Sequence, residues 1–317
     1  MRTVDVAPET RRDRHQRGSI LPWRQPGQGA RNVMAASLFL APFLILLLLF
    51  QYVPLALMTR NSLYSYSLLN PAASSFVGMQ NYLDIISDPD ARGSFLTTLL
   101  FAAGVVATVV PAGLSLALIL DTELPARALI RTIILVPVVS SAVVVATIWT
   151  FLLDPANGLI NGLLAWIRLG PYGFLTDRSL ALPALVVMTL WQQVGFAAIL
   201  FLAGLQAIPV ELGEAALVDG ATKPQRFWHV TLPLLARTTL FVVVIMTVFS
   251  LQAFAPALIM TSGGPQASTN FIVYEIYQLA FALHDAGYAS ALSVVLLLAV
   301  LLVSIVQMGI LRVRWNY

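Results

Sequence analysis

The sequence predicts an all-α, polytopic membrane protein with six transmembrane helices. Three observations predict it. The 317 residues are 58% hydrophobic and only 10% charged, with a mean hydropathy of +0.83, whereas soluble domains carry about 25% charged residues. Six apolar runs are long enough to cross a bilayer, which takes roughly 20 helical residues. Arginine and lysine are unevenly divided between the segments that join those runs.

Residues 1–33 are polar and hold seven arginines: Arg2, Arg11, Arg12, Arg14, Arg17, Arg24 and Arg31. Pro8, Pro22, Pro26 and several glycines argue against a stable fold here. The segment is expected to be a flexible cytosolic tail, and residues 34–317 the transmembrane domain. The first run, 34–57, exceeds the apolar core of a signal peptide and is followed by no clean small-x-small cleavage site, so it is expected to be retained. Residues 59–93 form a polar loop. The second span covers 95–120, and a charged loop with Asp121, Glu123, Arg127 and Arg131 leads to the third, 132–153. In the loop 154–179, Asn161 to Arg168 suits a short interfacial helix, with Trp166 and Tyr172 at headgroup level. The fourth span is 180–205, the fifth 238–260 and the sixth 289–311. The end is a basic, aromatic flank with Arg312 and Arg314.

Orientation follows from the cations. Of the 18 Lys and Arg residues, 14 lie in the tail, the 121–131 loop, the 206–237 stretch and the final flank; four, Arg60, Arg92, Arg168 and Arg178, lie in the alternate loops. The cation-rich side is the cytosolic one. Both termini and the 206–237 stretch are therefore expected in the cytosol.

That stretch has the most local structure written into it. Pro209 suits the start of a helix, where its missing N–H is no loss. Glu211 and Glu214 sit near the positive end of the helix dipole. Gly220 is a natural stop, because glycine takes the left-handed conformation cheaply. Thr222 with Gln225 fits a capping box for a second short helix. On composition alone this is an amphipathic connector on the membrane surface.

The order of residues says more. Glu214-Ala215-Ala216, Asp219-Gly220-Ala221 and then Val230-Thr231-Leu232-Pro233 resembles the Glu-Ala-Ala signature of permease subunits in binding-protein-dependent ABC importers, with Val230 in place of the usual isoleucine. Two more stretches resemble sugar-type and glycerol-phosphate-type members. Phe76-Val77-Gly78-Met79-Gln80-Asn81-Tyr82 is similar to the segment after their first helix. Met260-Thr261-Ser262-Gly263-Gly264-Pro265, with Thr269, Tyr274 to Tyr277, Ala280-Phe281 and Gly287 to Ala291, is similar to a run near their last. The likeness covers about residues 35–317. It implies a heterodimer with a second, related permease, two ATPase subunits below, and an extracytoplasmic substrate-binding protein above. It further implies that Glu214, Ala215, Ala216, Asp219 and Gly220 form a cytoplasmic coupling helix between the fourth and fifth spans, docked on an ATPase. The setting implied is a bacterial plasma (inner) membrane.

The chain's own chemistry is sparse. There is no cysteine, which removes disulfides, thiolate nucleophiles and Cys-based metal sites. Lys223 is the only lysine, and no Gly-x-x-x-x-Gly-Lys-Ser/Thr phosphate loop occurs. No Gly-x-Ser-x-Gly or His-Glu-x-x-His occurs, and His15, His229 and His284 are scattered. The expectation is a pore-forming subunit that is no enzyme and binds no cofactor, with ATP and Mg used by the partner ATPase. The spans lack Asp, Glu, Lys and Arg in their central parts, where ion-coupled carriers bury them. That leaves the energy to another subunit and leans towards a neutral sugar as cargo, although the partner permease could supply charge. Neutral polar and aromatic residues do lie at depth: Ser140, Ser141, Trp149, Trp191, Gln192, Gln193, Ser250 and Gln252. They must face protein or water. Interhelical hydrogen bonding explains such groups; so does a hydroxyl-rich passage, for which Trp191, Gln192, Gln193 and Gln252 are the candidates. Two other readings of the whole chain stay open: a passive channel or facilitator for small polar solutes, and a membrane scaffold that transports nothing.

Overall fold

Apolar runs in a bilayer must satisfy their backbone groups internally, so they become helices. The computed structural model describes residues 28–122 and 127–310, and divides into two units, residues up to Leu55 and those from Ala56 onward. The greater part of the 1–33 tail, together with Glu123, Arg312 and Arg314, lies outside the described residues.

In the first unit α1 (Gln28–Leu47) passes through a π-helical turn, Leu48–Tyr52, into α2 (Val53–Asn61), which continues into the second unit. Pro54 sits just after the turn. Proline removes an N–H from the helical ladder, and a wider turn beside it absorbs the misfit.

The second unit opens with a two-residue antiparallel ribbon, β1 (Tyr64–Ser65) with β2 (Ser75–Phe76). Next come α3 (Gln80–Ser87) and α4 (Pro89–Asp121), the latter of 33 residues. At 1.5 Å per residue α4 is about 50 Å long, well beyond the roughly 30 Å of hydrocarbon, so its ends stand in the headgroup regions. Asp88 caps it, accepting from Asp90 N at 2.9 Å. Then follow α5 (Arg127–Val139), α6 (Ala142–Leu152), α7 (Leu159–Trp166) and α8 (Arg178–Gln206). After α8 come α9 (Val210–Val218), α10 (Lys223–Arg226), a π-helical turn Phe227–Thr231, α11 (Leu232–Leu234) and α12 (Ala236–Leu251). A third π-helical turn, Ala257–Thr261, and α13 (Ile272–Tyr277), which runs on through a fourth (Gln278–Ala282), precede α14 (Ala286–Ile310).

Four of these helical stretches are long and apolar enough to cross a membrane: Ser37–Asn61, Pro89–Asp121, Arg178–Gln206 and Ala286–Ile310. Among the described residues two bent pairs also pass the test, which makes six when each pair is counted as one span. Leu129–Val139 and Ala142–Leu152 meet at 97°, and Lys223–Leu234 and Ala236–Leu251 at 65°. The third apolar run is thus two helices that meet at a sharp bend near Ser140, not one straight helix. In the fifth, the helix stops at Leu251, and residues up to 260 belong partly to the π-helical turn. The short helix expected in the 154–179 loop occupies Leu159–Trp166.

The core lies between α4, α8 and α12. Phe101, Val105 and Val109 of α4, Leu185, Met188 and Phe201 of α8, and Val242 and Met246 of α12 are fully buried. Between apolar helices in lipid, small residues rather than hydrophobic expulsion allow close packing. A methyl group at Gly113 would lie 2.6 Å from the Ala197 Cβ, and one at Gly195 2.3 Å from the Ile134 carbonyl oxygen. α8 can therefore approach α4 and α5 only with glycine at these points. At one end of the bundle Phe271 packs on Phe101, with ring centres 4.5 Å apart, and Ile272 N donates to Thr98 Oγ1 at 2.8 Å.

Candidate functional site

The stretch between α8 and α12 is built from local rules and then left bare. Pro209 is the N-cap of α9, and Glu211 lies in its first turn. The helix ends in a Schellman arrangement. Gly220 has φ +79°, its N–H donates to the Leu217 carbonyl at 3.0 Å, and Ala221 N donates to the Ala216 carbonyl at 2.9 Å. Gln225 Oε1 then accepts from both N and Oγ1 of Thr222 at 2.8 Å, completing the capping box that starts α10. His229, in the π-helical turn, is anchored through Nδ1 to the Gln225 carbonyl at 3.0 Å.

What these elements present is unusual. Glu214, Ala215, Asp219 and Gly220 are exposed and Ala216 is half-buried. Beside the carboxylates, Val210, Leu217 and Val218 are open, Val218 being 88% exposed. Carboxylates disfavour contact with lipid tails, and a patch of open valine and leucine is unfavourable in water. A surface of both kinds suits another protein.

The deep polar residues fall into two groups. Gln192 is buried and its amide donates to the Ser140 carbonyl at 3.4 Å, so α8 holds the break between α5 and α6. Ser250 is buried and returns its hydroxyl to the Met246 carbonyl at 2.7 Å. Trp191 and Gln252, by contrast, are exposed, and Gln193 is half-buried. Trp149 stacks obliquely near Trp191, with ring centres 6.0 Å apart. The structure therefore brings Ser140, Trp149, Trp191 and Gln192 together around the bend between α5 and α6; Gln252 caps the end of α12.

Sequence reasoning missed the break itself. Its only signal was Pro137 followed by Ser140-Ser141, with Ser140 N donating to the Pro137 carbonyl. It also gave no role to Arg131, whose Nε and Nη2 are buried with no hydrogen-bond partner.

The other quoted motifs prove to be architectural. Asn81 Nδ2 donates to the carbonyls of Ser62 and Tyr64, and the Tyr82 hydroxyl lies 2.7 Å from Ser62 Oγ, closing the loop after α2. In the Gly-Gly-Pro run, Thr269 Oγ1 lies 2.6 Å from both the Gly264 carbonyl, to which it donates, and Thr261 Oγ1. Asp177 caps α8, and its hydrogen bonds from Ser179 hold its carboxyl below the usual carboxylate range. Among the described residues no group of three His, Cys, Asp or Glu is placed to hold a metal ion.

Comparison with known proteins fits this geometry. A probable ABC transporter permease of Pyrococcus horikoshii is 35% identical over 272 residues, covering 84% of this chain and 91% of that one. The probable ABC transporter permease YurN of Bacillus subtilis is 35% identical over 283 residues, 88% of this chain and 96% of its own. The sn-glycerol-3-phosphate transport system permease UgpA of Yersinia pseudotuberculosis is 33% identical over 258 residues, 80% and 87% of the two chains. A crystal structure of a bacterial ABC transporter involved in the import of the acidic polysaccharide alginate shares the fold, with a TM-score of 0.77, 24% identity, and coverage of 90% of this chain and 98% of that one. Residues 109–314 match the family described as "Binding-protein-dependent transport system inner membrane component". The chain belongs to that family, and is a permease subunit of an ABC importer.

Proposed function

We propose that the chain forms half of the translocation pathway of an ATP-driven importer for a sugar or related polyol, and that α9 is the helix through which a separate ATPase moves it. The exposure of Val218 beside Glu214 and Asp219 carries this reading. A nine-residue helix with open apolar side chains and two carboxylates needs a protein groove to cover it. Ala215 and Ala216 allow close approach, and the carboxylates offer charge-assisted hydrogen bonds to cationic side chains. ATP and Mg are used by that partner. A second permease completes the pore, and an extracytoplasmic binding protein delivers the cargo to the end of the bundle that carries α3 and α13. A related alginate transporter crystallised with its substrate-loaded periplasmic protein supports that last partner.

In this reading the 206–237 stretch and both termini are cytosolic, residues 1–33 are a tail, and residues 34–317 are the transmembrane domain. Trp191, Gln193 and Gln252 offer ring faces and amides to a passing sugar, with Gln192 setting the break behind them. The relatives named for sn-glycerol-3-phosphate and alginate handle anionic cargo. The substrate class is therefore a sugar or polyol, neutral or anionic.

The test is reconstitution of the complex purified with its partners. Uptake of the sugar bound by the co-purifying binding protein should require ATP, and Gly220→Pro and Glu214→Lys should abolish it while leaving membrane insertion intact. Uptake without nucleotide, or normal uptake by both variants, would refute the assignment.

A further inference from the structure

Arg131 lies near the start of α5, and its Nε and Nη2 are buried without a hydrogen-bond partner among the described residues. Its surroundings explain why. Ile130 and Ile134, its neighbours on α5, pack against the core. As α5 advances from Ile134 to Ser140, the points it meets on α8 retreat from Gly195 to Gln192. Followed back towards the start of α5, that register sets Arg131 beside the stretch of α8 that comes after Gly195. From Phe196 to Leu205 this stretch has no polar side chain. Buried guanidinium nitrogens without an acceptor are costly, and apolar side chains in place of buried charges often stabilise a protein. This conformation is therefore held at a cost that movement of α5 would remove.

The far end of α5 supplies a hinge. There the helix meets α6 at 97°, and Pro137 removes a donor from the helical ladder. The Gln192 bond to the Ser140 carbonyl is long at 3.4 Å and correspondingly weak. From Ser140 back to Arg131 is about 13 Å of helix, so a tilt of about 15° at the break moves the Arg131 end by about 3.5 Å, room for water to enter. In the orientation proposed above, that end lies at the cytosolic boundary. Water and lipid phosphates accept from arginine there, and the long side chain can reach them.

We infer that α5 is a hinged arm of the transport cycle and that Arg131 springs it, a role that rests on the chain being a permease driven by a separate ATPase. In this conformation Nε and Nη2 of Arg131 are cut off from acceptors. They regain them when α5 tilts at the Pro137–Ser140 break, so the buried charge drives the arm away from α8.

The test has two arms. The first follows thermal unfolding of the full chain in detergent and needs no partner subunit. Arg131→Leu and Arg131→Met keep much of the bulk and remove the charge, and each should raise the unfolding temperature by about 3 °C or more. Arg131→Lys keeps the charge and should unfold with the wild type. The second arm measures uptake by the complex purified with its partners and placed in proteoliposomes. Arg131→Leu and Arg131→Met should lower ATP-driven uptake at least about fivefold, because the permease then settles in one conformation. Arg131→Lys should keep most of it. A lower unfolding temperature in both apolar variants would show that the guanidinium has an acceptor in this conformation. Loss of the partner subunits from both would place its acceptor on a neighbouring chain. Unaltered uptake in both would remove the tilt of α5 from the cycle. Each would overturn this role. Wild-type uptake that needs no ATP would instead overturn the reading as a driven permease, whatever the unfolding temperatures show.

Discussion

The hydroxyl of Tyr288 donates to Asp88 Oδ2 at 2.7 Å and fastens the first turn of α14 to the start of α4, across 200 residues of sequence. Asp88 is also the N-cap of α4, with Oδ1 accepting from Asp90 N at 2.9 Å. One carboxylate thus holds two helices in register at one end of the bundle.

Asp88→Ala removes both interactions and Tyr288→Phe only one. A hydrogen bond to a carboxylate contributes about 1.5 to 3 kcal/mol, less where water competes, and an N-cap about 1 kcal/mol. Thermal unfolding in detergent should show Asp88→Ala clearly below Tyr288→Phe. The double variant should be no less stable than Asp88→Ala alone, because the tyrosine has nothing left to lose.

Gly220 has φ +79°, and a Cβ added there meets no atom within 4 Å. Space is therefore not the constraint; backbone conformation is. Gly220→Ala should cost about 1 to 2 kcal/mol locally and lower coupled uptake only in part. Gly220→Pro cannot adopt that φ and has no N–H for the Leu217 carbonyl, so uptake should vanish. Both are checked by ATP-driven uptake in proteoliposomes with insertion measured alongside; equal effects would argue against a conformational cause.

Val218 and Glu214 test the surface rather than the helix. Val218→Asp keeps α9 soluble and leaves the fold untouched, since the side chain is 88% exposed. It should reduce the ATPase retained on the purified permease by about tenfold, in line with the loss of a central apolar contact. Glu214→Gln should weaken retention less at high salt than at low salt, because a charge-assisted contact near the surface is screened.

The polar residues near the bend at Ser140 should separate by assay. Gln192→Leu leaves the Ser140 carbonyl without its donor, at 3.4 Å now, and should lower thermal stability by about 1 kcal/mol. Gln193, half-buried, and Gln252, exposed, make no hydrogen bond named above, so Gln193→Leu and Gln252→Leu should leave stability unchanged while raising the half-saturation concentration for uptake. The reverse pattern would move the passage elsewhere.

Thr247 and Gln307 make a hydrogen bond of 2.8 Å between α12 and α14. Interhelical bonds in membranes average about 0.6 kcal/mol, and Gln307 Oε1 is also buried without a partner. Gln307→Leu removes a weak bond together with an unsatisfied oxygen, so its unfolding temperature should match the wild type closely. A large fall would mean that an unseen group satisfies that oxygen.

Much of this was legible along the chain. Glu214 to Gly220, the Thr222–Gln225 box and the stop at Gly220 are local, and their partners lie within about five residues. The apolar runs were legible for the same reason: solvent and backbone impose them one segment at a time. The break at Ser140, the burial of Gln192 and that of the Arg131 Nε and Nη2 were not. Ser140 and Gln192 are 52 residues apart, and no local pattern says which amide will meet which carbonyl.

The sequence by itself determined that this chain lives in a membrane, how often it can cross, and that a capped, carboxylate-bearing helix interrupts the crossings. Only the tertiary structure decided which polar groups are consumed in holding helices together and which are left open. Hydropathy and capping act over one helical turn, whereas exposure is set by which helices pack together, and that depends on glycines and carbonyls brought close from distant parts of the chain.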